Sequence, residues 1–190
     1  MIIWPLSLIV LRVALGPVAL VCASNDAPRA LFAPIVLAGM LSDVLDGVVA
    51  RRLGVARPWL RRLDSLADVT FYLCLLAATW VVARPVVEAG WLPLGLLLLS
   101  EVGCLTASLL RFGVLPATHC YSAKAYGLVL FFAFVGVLSF GAGAWALYAL
   151  AAVGLIANAE VLSIILLSRT PPVDVPSVFK LSRGRASSVA

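Results

Sequence analysis

The chain has 190 residues, of which 63% are hydrophobic and only 12% charged, with a mean hydropathy of +1.11 and a net charge of +5. A soluble domain is about 45–50% apolar and about 25% charged, so this composition excludes an ordinary soluble globule and a disordered chain. The apolar runs are rich in leucine, valine and alanine and lack the alternation of a transmembrane barrel. The composition therefore predicts an all-α, polytopic membrane protein.

Six apolar segments are long enough to cross the hydrocarbon layer as helices, which takes ~20 residues. In chain order we predict these helices at residues 4–23, 30–50, 64–83, 91–110, 124–141 and 144–167. The first segment is not typical of a signal peptide, because no basic residue precedes it and Arg12 lies in its middle. We expect residues 1–170 to form one six-helix membrane domain and the polar, proline-containing tail, residues 171–190, to be mobile.

The basic residues concentrate on one side of the predicted membrane domain. Of the 14 lysines and arginines, 12 fall on the side that holds both termini, and only Arg29 and Arg84 fall on the other. The positive-inside rule then predicts that both termini are cytoplasmic. We expect the protein to lie in the inner cell membrane, with its active site on the cytoplasmic side. Because this topology accounts for the positive charge, we expect no nucleic-acid partner, whereas anionic lipid headgroups would be attracted to the arginines.

Four aspartates within 26 residues are the feature most informative about chemistry. Asp43 and Asp46 are three residues apart on the second predicted helix, and Asp64 and Asp68 are four apart at the start of the third. Each pair therefore shares one helix face, and the short basic connection lets the two faces converge near the cytoplasmic surface. Buried acids are costly in a membrane unless they are compensated. Mg²⁺ or Mn²⁺ would compensate them, and two such ions would suit a phosphoryl-type displacement.

Small and basic residues follow the first acid pair. Gly47 and Ala50 would let a ligand approach the helix backbone, and Arg51 has a guanidinium fork suited to phosphate. The spacing of the acids alone leaves two other interpretations open. The acids could line a proton or ion pathway, or they could pair with the nearby arginines as part of the structure.

The stretch from Asp43 to Asp68 closely resembles the signature of the CDP-alcohol phosphotransferase family, D-x2-D-G-x2-A-R-x8/9-G-x3-D-x3-D. Seven of its eight fixed letters are present at the expected gaps, and Leu60 stands in place of the second glycine. A leucine there would narrow the nucleotide site. The opening segment is also similar to the family's P-N-x-L-T-x-x-R stretch, of which it retains Pro5, Leu8 and Arg12.

The resemblance implies a transfer from a CDP-linked lipid to an alcohol, with release of CMP. CDP-diacylglycerol is the expected donor and glycerol 3-phosphate the favoured acceptor, with an inositol phosphate, serine or another alcohol as alternatives. Asp68 would be the general base, and the family also implies a homodimer. The resemblance further implies that two divalent ions are held by Asp43, Asp46, Asp64 and Asp68. It assigns CDP binding to Gly47, Ala50 and Arg51.

Arg111 and Lys124 flank the connection after the fourth helix. Basic residues at similar places in phosphatidylglycerophosphate synthases are associated with a phosphorylated acceptor, so the resemblance implies acceptor binding here. The alternative is that the two cations only set the topology. We interpret His119 as a polar residue of the connection, with an acceptor contact as the alternative. We interpret Glu101 and Glu160 as hydrogen-bonded structural acids or interface groups.

Two rival functions use the same residues. A small ion or solute transporter would employ the intramembrane acids and would give flux without CMP release, while a catalytically silent family member would bind nucleotide through a site altered at Leu60. The four cysteines show no metal-binding spacing, and we interpret them as small buried apolar side chains. They are Cys22, Cys74, Cys104 and Cys120.

Overall fold

The structure is a computed structural model that describes residues 3–53, 58–116, 118, 120–173 and 175–180. Six long helices account for most of these residues, and no β-strand occurs within the described ranges. The helices are α1 (Ile3–Ser24), α2 (Phe32–Arg52), α3 (Pro58–Ala89), α4 (Trp91–Phe112), α5 (Tyr121–Phe140) and α6 (Trp145–Leu167), with a short 3₁₀ turn at Arg29–Leu31. Each of the six is long and apolar enough to span a membrane. The prediction of an all-helical membrane protein with six spans is confirmed.

The third helix departs most from its predicted bounds. The sequence predicted a helix over residues 64–83 followed by a connection, but α3 continues to Ala89 through a kink at Ala83, where φ is −141° and ψ is 44°. Pro85 lacks a backbone N–H and so removes one helical hydrogen bond at this point. Near the kink, Arg29 Nη2 donates to the carbonyl oxygen of Val82, at 3.4 Å. The predicted end of the helix at residue 83 therefore coincides with a break between two helical segments, and the second of these, residues 84–89, lies where the sequence predicted a connection.

The described chain divides into two compact units. Unit 1 comprises Met1–Val87 and Phe134–Gly143, and in it α1 packs against α2. The buried residues of α1 recur every three or four positions, which places them on one face of the helix. They are Pro5, Ile9, Arg12, Gly16, Ala19 and Ala23. A Cβ added at Gly16 would lie 3.1 Å from Cys74 Cβ, so this glycine allows α1 to approach α3 closely.

Unit 2 comprises Glu88–Ala133 and Ala144–Ala190, and in it α4 packs against α6. Polar contacts join these two helices within their apolar surroundings. Asn158 Nδ2 donates to Ser100 Oγ at 2.8 Å, and Cys104 Sγ donates to the Asn158 carbonyl oxygen at 3.3 Å. Such interhelical hydrogen bonds contribute to helix association in membranes. Cys104 and Cys120 are buried, Cys22 and Cys74 are half-buried, and all four are free thiols.

Candidate metal centre

Arg12 brings the first helix into the acid cluster. It lies in the middle of the buried face of α1, and its side chain is only 1% exposed. A guanidinium buried among helices needs partners that accept its hydrogen bonds and balance its charge. These partners are supplied by α2 and α3.

The four aspartates predicted from the sequence all contact this one arginine. Asp43 and Asp46 project from α2. Asp64 and Asp68 project from α3, at the start of its apolar part. Their side chains differ in exposure: 44% for Asp43, 32% for Asp64 and 34% for Asp68, but only 4% for Asp46. The structure therefore brings the two predicted acid pairs together, with Arg12 between them.

The donors of Arg12 are divided among these partners. Nη1 donates to Asp64 Oδ1 at 2.9 Å and to Asp68 Oδ1, which uses both of its hydrogens, and Asp43 Oδ1 forms an ion pair with the same nitrogen at 3.3 Å. Nη2 donates to Asp46 Oδ2. Nε donates to Ser42 Oγ at 3.3 Å. Four of the five guanidinium N–H groups are thus engaged within the cluster.

Three of the acids also meet the requirements of a cation site. Asp43, Asp64 and Asp68 each offer one carboxylate oxygen, and these three atoms lie within 4.8 Å of one another. Partly exposed carboxylates on two helices are the hard oxygen donors that Mg²⁺ and Mn²⁺ prefer. The residues present therefore fit a divalent ion. Asp46 is not in this set of three, and its carboxylate faces Nη2 of Arg12.

The contact between Arg12 and the acids was missed by the sequence analysis. The sequence shows Arg12 as a charge within the first apolar segment, on the side of both termini, and as one position of the family resemblance. A sequence signal did exist, because a single arginine in the middle of a long apolar helix requires a buried acidic partner. The spacing of the acids cannot show that the arginine of another helix lies between them.

Close packing between α2 and α3 supports the cluster one turn away from the acids. A Cβ added at Gly39 would lie 2.3 Å from Cζ of Phe71, whose side chain is fully buried. Gly39 precedes Asp43 by four residues and Phe71 follows Asp68 by three, so both lie on the helix faces that bear the acids. The glycine therefore sets how near the two acid-bearing helices come to each other.

Leu60, which stands at the motif's second glycine position, is buried. Its side chain is 4% exposed and belongs to an apolar cluster with Ile9 of α1 and Ala67 of α3. The residue thus fills space between two helices of unit 1. This placement gives Leu60 a packing role that the sequence pattern did not indicate.

The residues predicted to bind CDP are only partly described. Gly47 follows Asp46 on α2 and is half-buried. The backbone of Ala50 and Arg51 belongs to α2, but their side chains lie outside the described part of the structure. CDP binding by Gly47, Ala50 and Arg51 stays a prediction.

The predicted acceptor-binding residues belong to unit 2. Arg111 Nη2 donates to the Ser168 carbonyl oxygen at 3.0 Å, and its guanidinium lies 5.5 Å from the centre of the Phe112 ring. Lys124 Nζ lies 5.7 Å from the centre of the Tyr121 ring. Both residues are exposed at the ends of their helices. Their role in acceptor binding stays a prediction, and His119 lies outside the described residues.

Glu160 is a hydrogen-bonded structural acid, one of the two roles considered for it. It accepts hydrogen bonds from Ser122 Oγ, from Ser177 Oγ at 2.8 Å and from the backbone N–H of Val178 at 3.1 Å. It therefore joins α6 to the start of α5 and to residues 177–178. The mobility of the tail, residues 171–190, stays a prediction. Within this tail, residues 174 and 181–190 lie outside the described part of the structure.

The chain matches a known protein family over the stretch that contains the candidate metal centre. A family model described as CDP-alcohol phosphatidyltransferase matches residues 2–165, which span all four aspartates and Arg12. Neither the curated proteins nor the solved structures gave a match to this chain.

Proposed function

Since the chain belongs to the CDP-alcohol phosphatidyltransferase family, we propose that it transfers the phosphatidyl group of CDP-diacylglycerol to glycerol 3-phosphate and releases CMP. Family membership makes it a transferase of substituted phosphate groups in phospholipid biosynthesis. The six apolar helices make it a multi-pass membrane protein. The observation that carries the proposal is the convergence of four aspartates from α2 and α3, three of which fit a divalent ion.

The proposed metal ligands are the four aspartates, which would hold two divalent ions, Mg²⁺ or Mn²⁺. When bound, such ions neutralise a pyrophosphate and stabilise the departing CMP. For three of these aspartates, the proximity of their carboxylate oxygens supports a role as metal ligands. Asp46 is proposed as the fourth ligand on the family resemblance. The four residues are Asp43, Asp46, Asp64 and Asp68.

Asp68 is the proposed general base. About a third of its side chain is exposed, so an acceptor hydroxyl can reach its carboxylate. The hydroxyl proton passes to Asp68 as the hydroxyl oxygen forms a bond to the phosphatidyl phosphorus. The bond between that phosphorus and the bridging oxygen of the pyrophosphate breaks, and CMP leaves with the electron pair. The products are the phosphatidyl ester of the acceptor and CMP.

The substrate contacts are proposed on the family resemblance and on chemistry. Gly47, Ala50 and Arg51 would bind the CDP moiety, and Arg111 and Lys124 would bind a phosphorylated acceptor, since both are exposed cations. We also propose that the protein acts as a homodimer in the inner membrane, with its active site on the cytoplasmic side.

The experiment that tests the function is CMP release by the purified protein. CDP-diacylglycerol is offered with Mn²⁺ and with each of several acceptors: glycerol 3-phosphate, inositol phosphate, inositol and serine. We expect CMP and a new phospholipid with glycerol 3-phosphate. CMP release with a different acceptor would correct the acceptor only. Flux of ions across vesicles without CMP release would instead favour a transporter, and nucleotide binding without turnover would favour a silent member.

Substitution of the acids tests whether the centre performs the reaction. Asp43→Asn and Asp64→Asn each remove one negative ligand from the set that fits a cation. We expect CMP release to fall about a hundredfold or more, because a bound metal supplies several kcal/mol of charge stabilisation. Asp26→Asn is the matched control, since Asp26 lies in the exposed loop after α1 and its φ of 50° suits asparagine. Full activity of either cluster variant, or full activity of the wild type in excess chelator, would contradict the proposal.

A further inference from the structure

Nη1 of Arg12 lies where the candidate metal ligands converge. It contacts Asp43, Asp64 and Asp68, and the same three residues bring carboxylate oxygens close enough together to share one ion. A guanidinium hydrogen and a metal ion both require lone pairs of carboxylate oxygens. Arg12 and a bound cation therefore compete for one set of acceptors.

The charges of the cluster give this competition a direction. One guanidinium faces four carboxylates, so fully ionised groups leave the cluster with three negative charges in excess. Without Arg12 the excess would be four, in a helix-lined region where charges interact more strongly than in water. Arg12 forms an ion pair with each of the four acids.

Burial separates this role from that of a substrate ligand. The Arg12 side chain is 1% exposed, and its N–H groups are directed to Ser42 and the aspartates. An arginine that binds a phosphate must present free N–H groups to the space where the phosphate enters. Arg12 presents its fork to the protein's own acids.

We propose that Arg12 is a positioning residue, an internal counter-cation that holds the four aspartates of α2 and α3 in place when no metal is bound and competes with the metal for them. This inference rests on the proposed metal-dependent function and adds a role for α1 in it. It follows that removing Arg12 weakens the metal-free protein and tightens its hold on metal. A residue with a merely structural role would weaken both.

The test uses the purified full-length Arg12→Met variant, because methionine retains much of the apolar stem without the charge. Thermal unfolding is measured in chelator and in saturating Mn²⁺, and the apparent Kd for Mn²⁺ is measured by titration. We expect the melting temperature to fall in chelator, with most of that loss recovered in Mn²⁺. We expect the apparent Kd for Mn²⁺ to fall at least about tenfold, because a competing positive charge has been removed.

Two further variants complete the design. Arg12→Lys keeps the charge but has one ammonium in place of the fork, so its Mn²⁺ affinity should lie between those of the wild type and Arg12→Met. Arg84→Met is the matched control, because Arg84 is an exposed arginine of the same unit that stacks on Trp80, with 5.2 Å between the guanidinium carbon and the ring centre. Its Mn²⁺ affinity should equal that of the wild type.

Each result bears on the proposal. Equal loss of melting temperature in chelator and in Mn²⁺, or an unchanged or weaker Mn²⁺ affinity of Arg12→Met, would overturn it. Recovery of Arg12→Met only when Mn²⁺ is present during purification would support it. If Arg12→Met cannot be recovered in either medium, Arg12→Lys decides, and wild-type Mn²⁺ affinity in that variant would overturn the proposal.

The wild-type measurements separate this inference from the proposed function. If the wild type releases CMP and binds Mn²⁺ but Arg12→Met shows no gain in affinity, only the role of Arg12 fails. If the wild type binds Mn²⁺ without releasing CMP from CDP-diacylglycerol, the proposed reaction fails. The role of Arg12 can still be tested then, because its test measures Mn²⁺ affinity and thermal unfolding. A wild type that does not bind Mn²⁺ contradicts both.

Discussion

The four aspartates have the same chemistry but different surroundings. Asp46 is almost completely enclosed by protein and faces Nη2 of Arg12, whereas the side chains of Asp43, Asp64 and Asp68 are between 32% and 44% exposed. An enclosed carboxylate that loses its partner costs far more than an exposed one. We therefore expect Asp46 to contribute more to the fold than the other three, whose side chains are more exposed.

The burial of Leu60 predicts that replacing it destabilises the protein. The family resemblance implies that Leu60 narrows the nucleotide site, so that Leu60→Gly would open this site and lower KM for the CDP donor. Because Leu60 packs against Ile9 and Ala67, we expect the substitution to cost about 3–5 kcal/mol through the cavity and the helix propensity of glycine. Thermal unfolding of the purified protein measures the loss.

The control for this prediction is another leucine of α3. Leu66→Gly makes the same chemical change at a side chain that is 61% exposed, so it should cost only the helix propensity of about 1 kcal/mol. Equal losses for Leu60→Gly and Leu66→Gly would show that Leu60 packs no better than an exposed leucine. A lower KM for the CDP donor in stable Leu60→Gly protein would restore the expectation drawn from the motif.

At the scale of elements, α2 and α3 form the frame of the candidate centre. The two helices approach at Gly39 and Phe71, one turn from the acids. Ser42 links this contact to the cluster, because its hydroxyl donates to the Gly39 carbonyl oxygen at 2.6 Å and accepts from Nε of Arg12. The spacing of the helices and the position of the arginine are therefore coupled.

Gly39→Ala tests this coupling. The new methyl group would overlap the tip of the Phe71 ring, which has no room to move because it is fully buried. We expect a loss of about 1–3 kcal/mol from overpacking, together with weaker Mn²⁺ binding as the acids of α2 move away from those of α3. Thermal unfolding and Mn²⁺ titration measure the two effects.

Gly95→Ala is the matched control, because a Cβ added at Gly95 in α4 would have no described atom within 4 Å outside its own stretch of helix. Alanine there should be neutral or should stabilise the helix by up to about 1 kcal/mol. If Gly39→Ala behaves like Gly95→Ala in both measurements, the close approach of α2 and α3 does not control the centre.

The elements also show which features a sequence can predict and why. The six helices are predictable because a span needs a run of apolar residues of a fixed length, and the acid pairs share faces because of the helical repeat. The short helical segment after the break at Ala83 was missed, because an arginine followed by a proline is equally typical of a connection. The contacts of Arg12 and Leu60 depend on how three separate helices pack, and no local pattern encodes that packing.

At the scale of the whole molecule, the asymmetry of charge predicts the orientation in the membrane. The predicted topology assigns 12 of the 14 basic residues to the side that holds both termini, Arg12 among them. Arg29, one of the two exceptions, has a structural role on the opposite side, since it donates to the Val82 carbonyl oxygen at the kink of α3. Its presence there does not weaken the positive-inside prediction.

Cysteine labelling in intact cells tests the orientation. In a background in which the four native cysteines are replaced by alanine, we introduce Asn25→Cys in the loop after α1 and Ser182→Cys in the tail. We expect a membrane-impermeant reagent to label position 25 in intact cells and position 182 only after permeabilisation. The reverse pattern would place the acid-bearing ends of α2 and α3 on the outer side and would contradict a cytoplasmic active site.

The burial of Arg12 has a consequence for how the protein is made. Its partners follow it by 34 residues at Asp46 and by 52 and 56 residues at Asp64 and Asp68. At about 5–20 residues per second, the last of them is synthesised roughly 3–11 s after Arg12. During that interval α1 carries a charge whose insertion into the bilayer costs about 2.5–3.5 kcal/mol, which the apolar residues of the helix must outweigh. The first helix to be synthesised therefore reaches its final environment only after the third has entered the membrane.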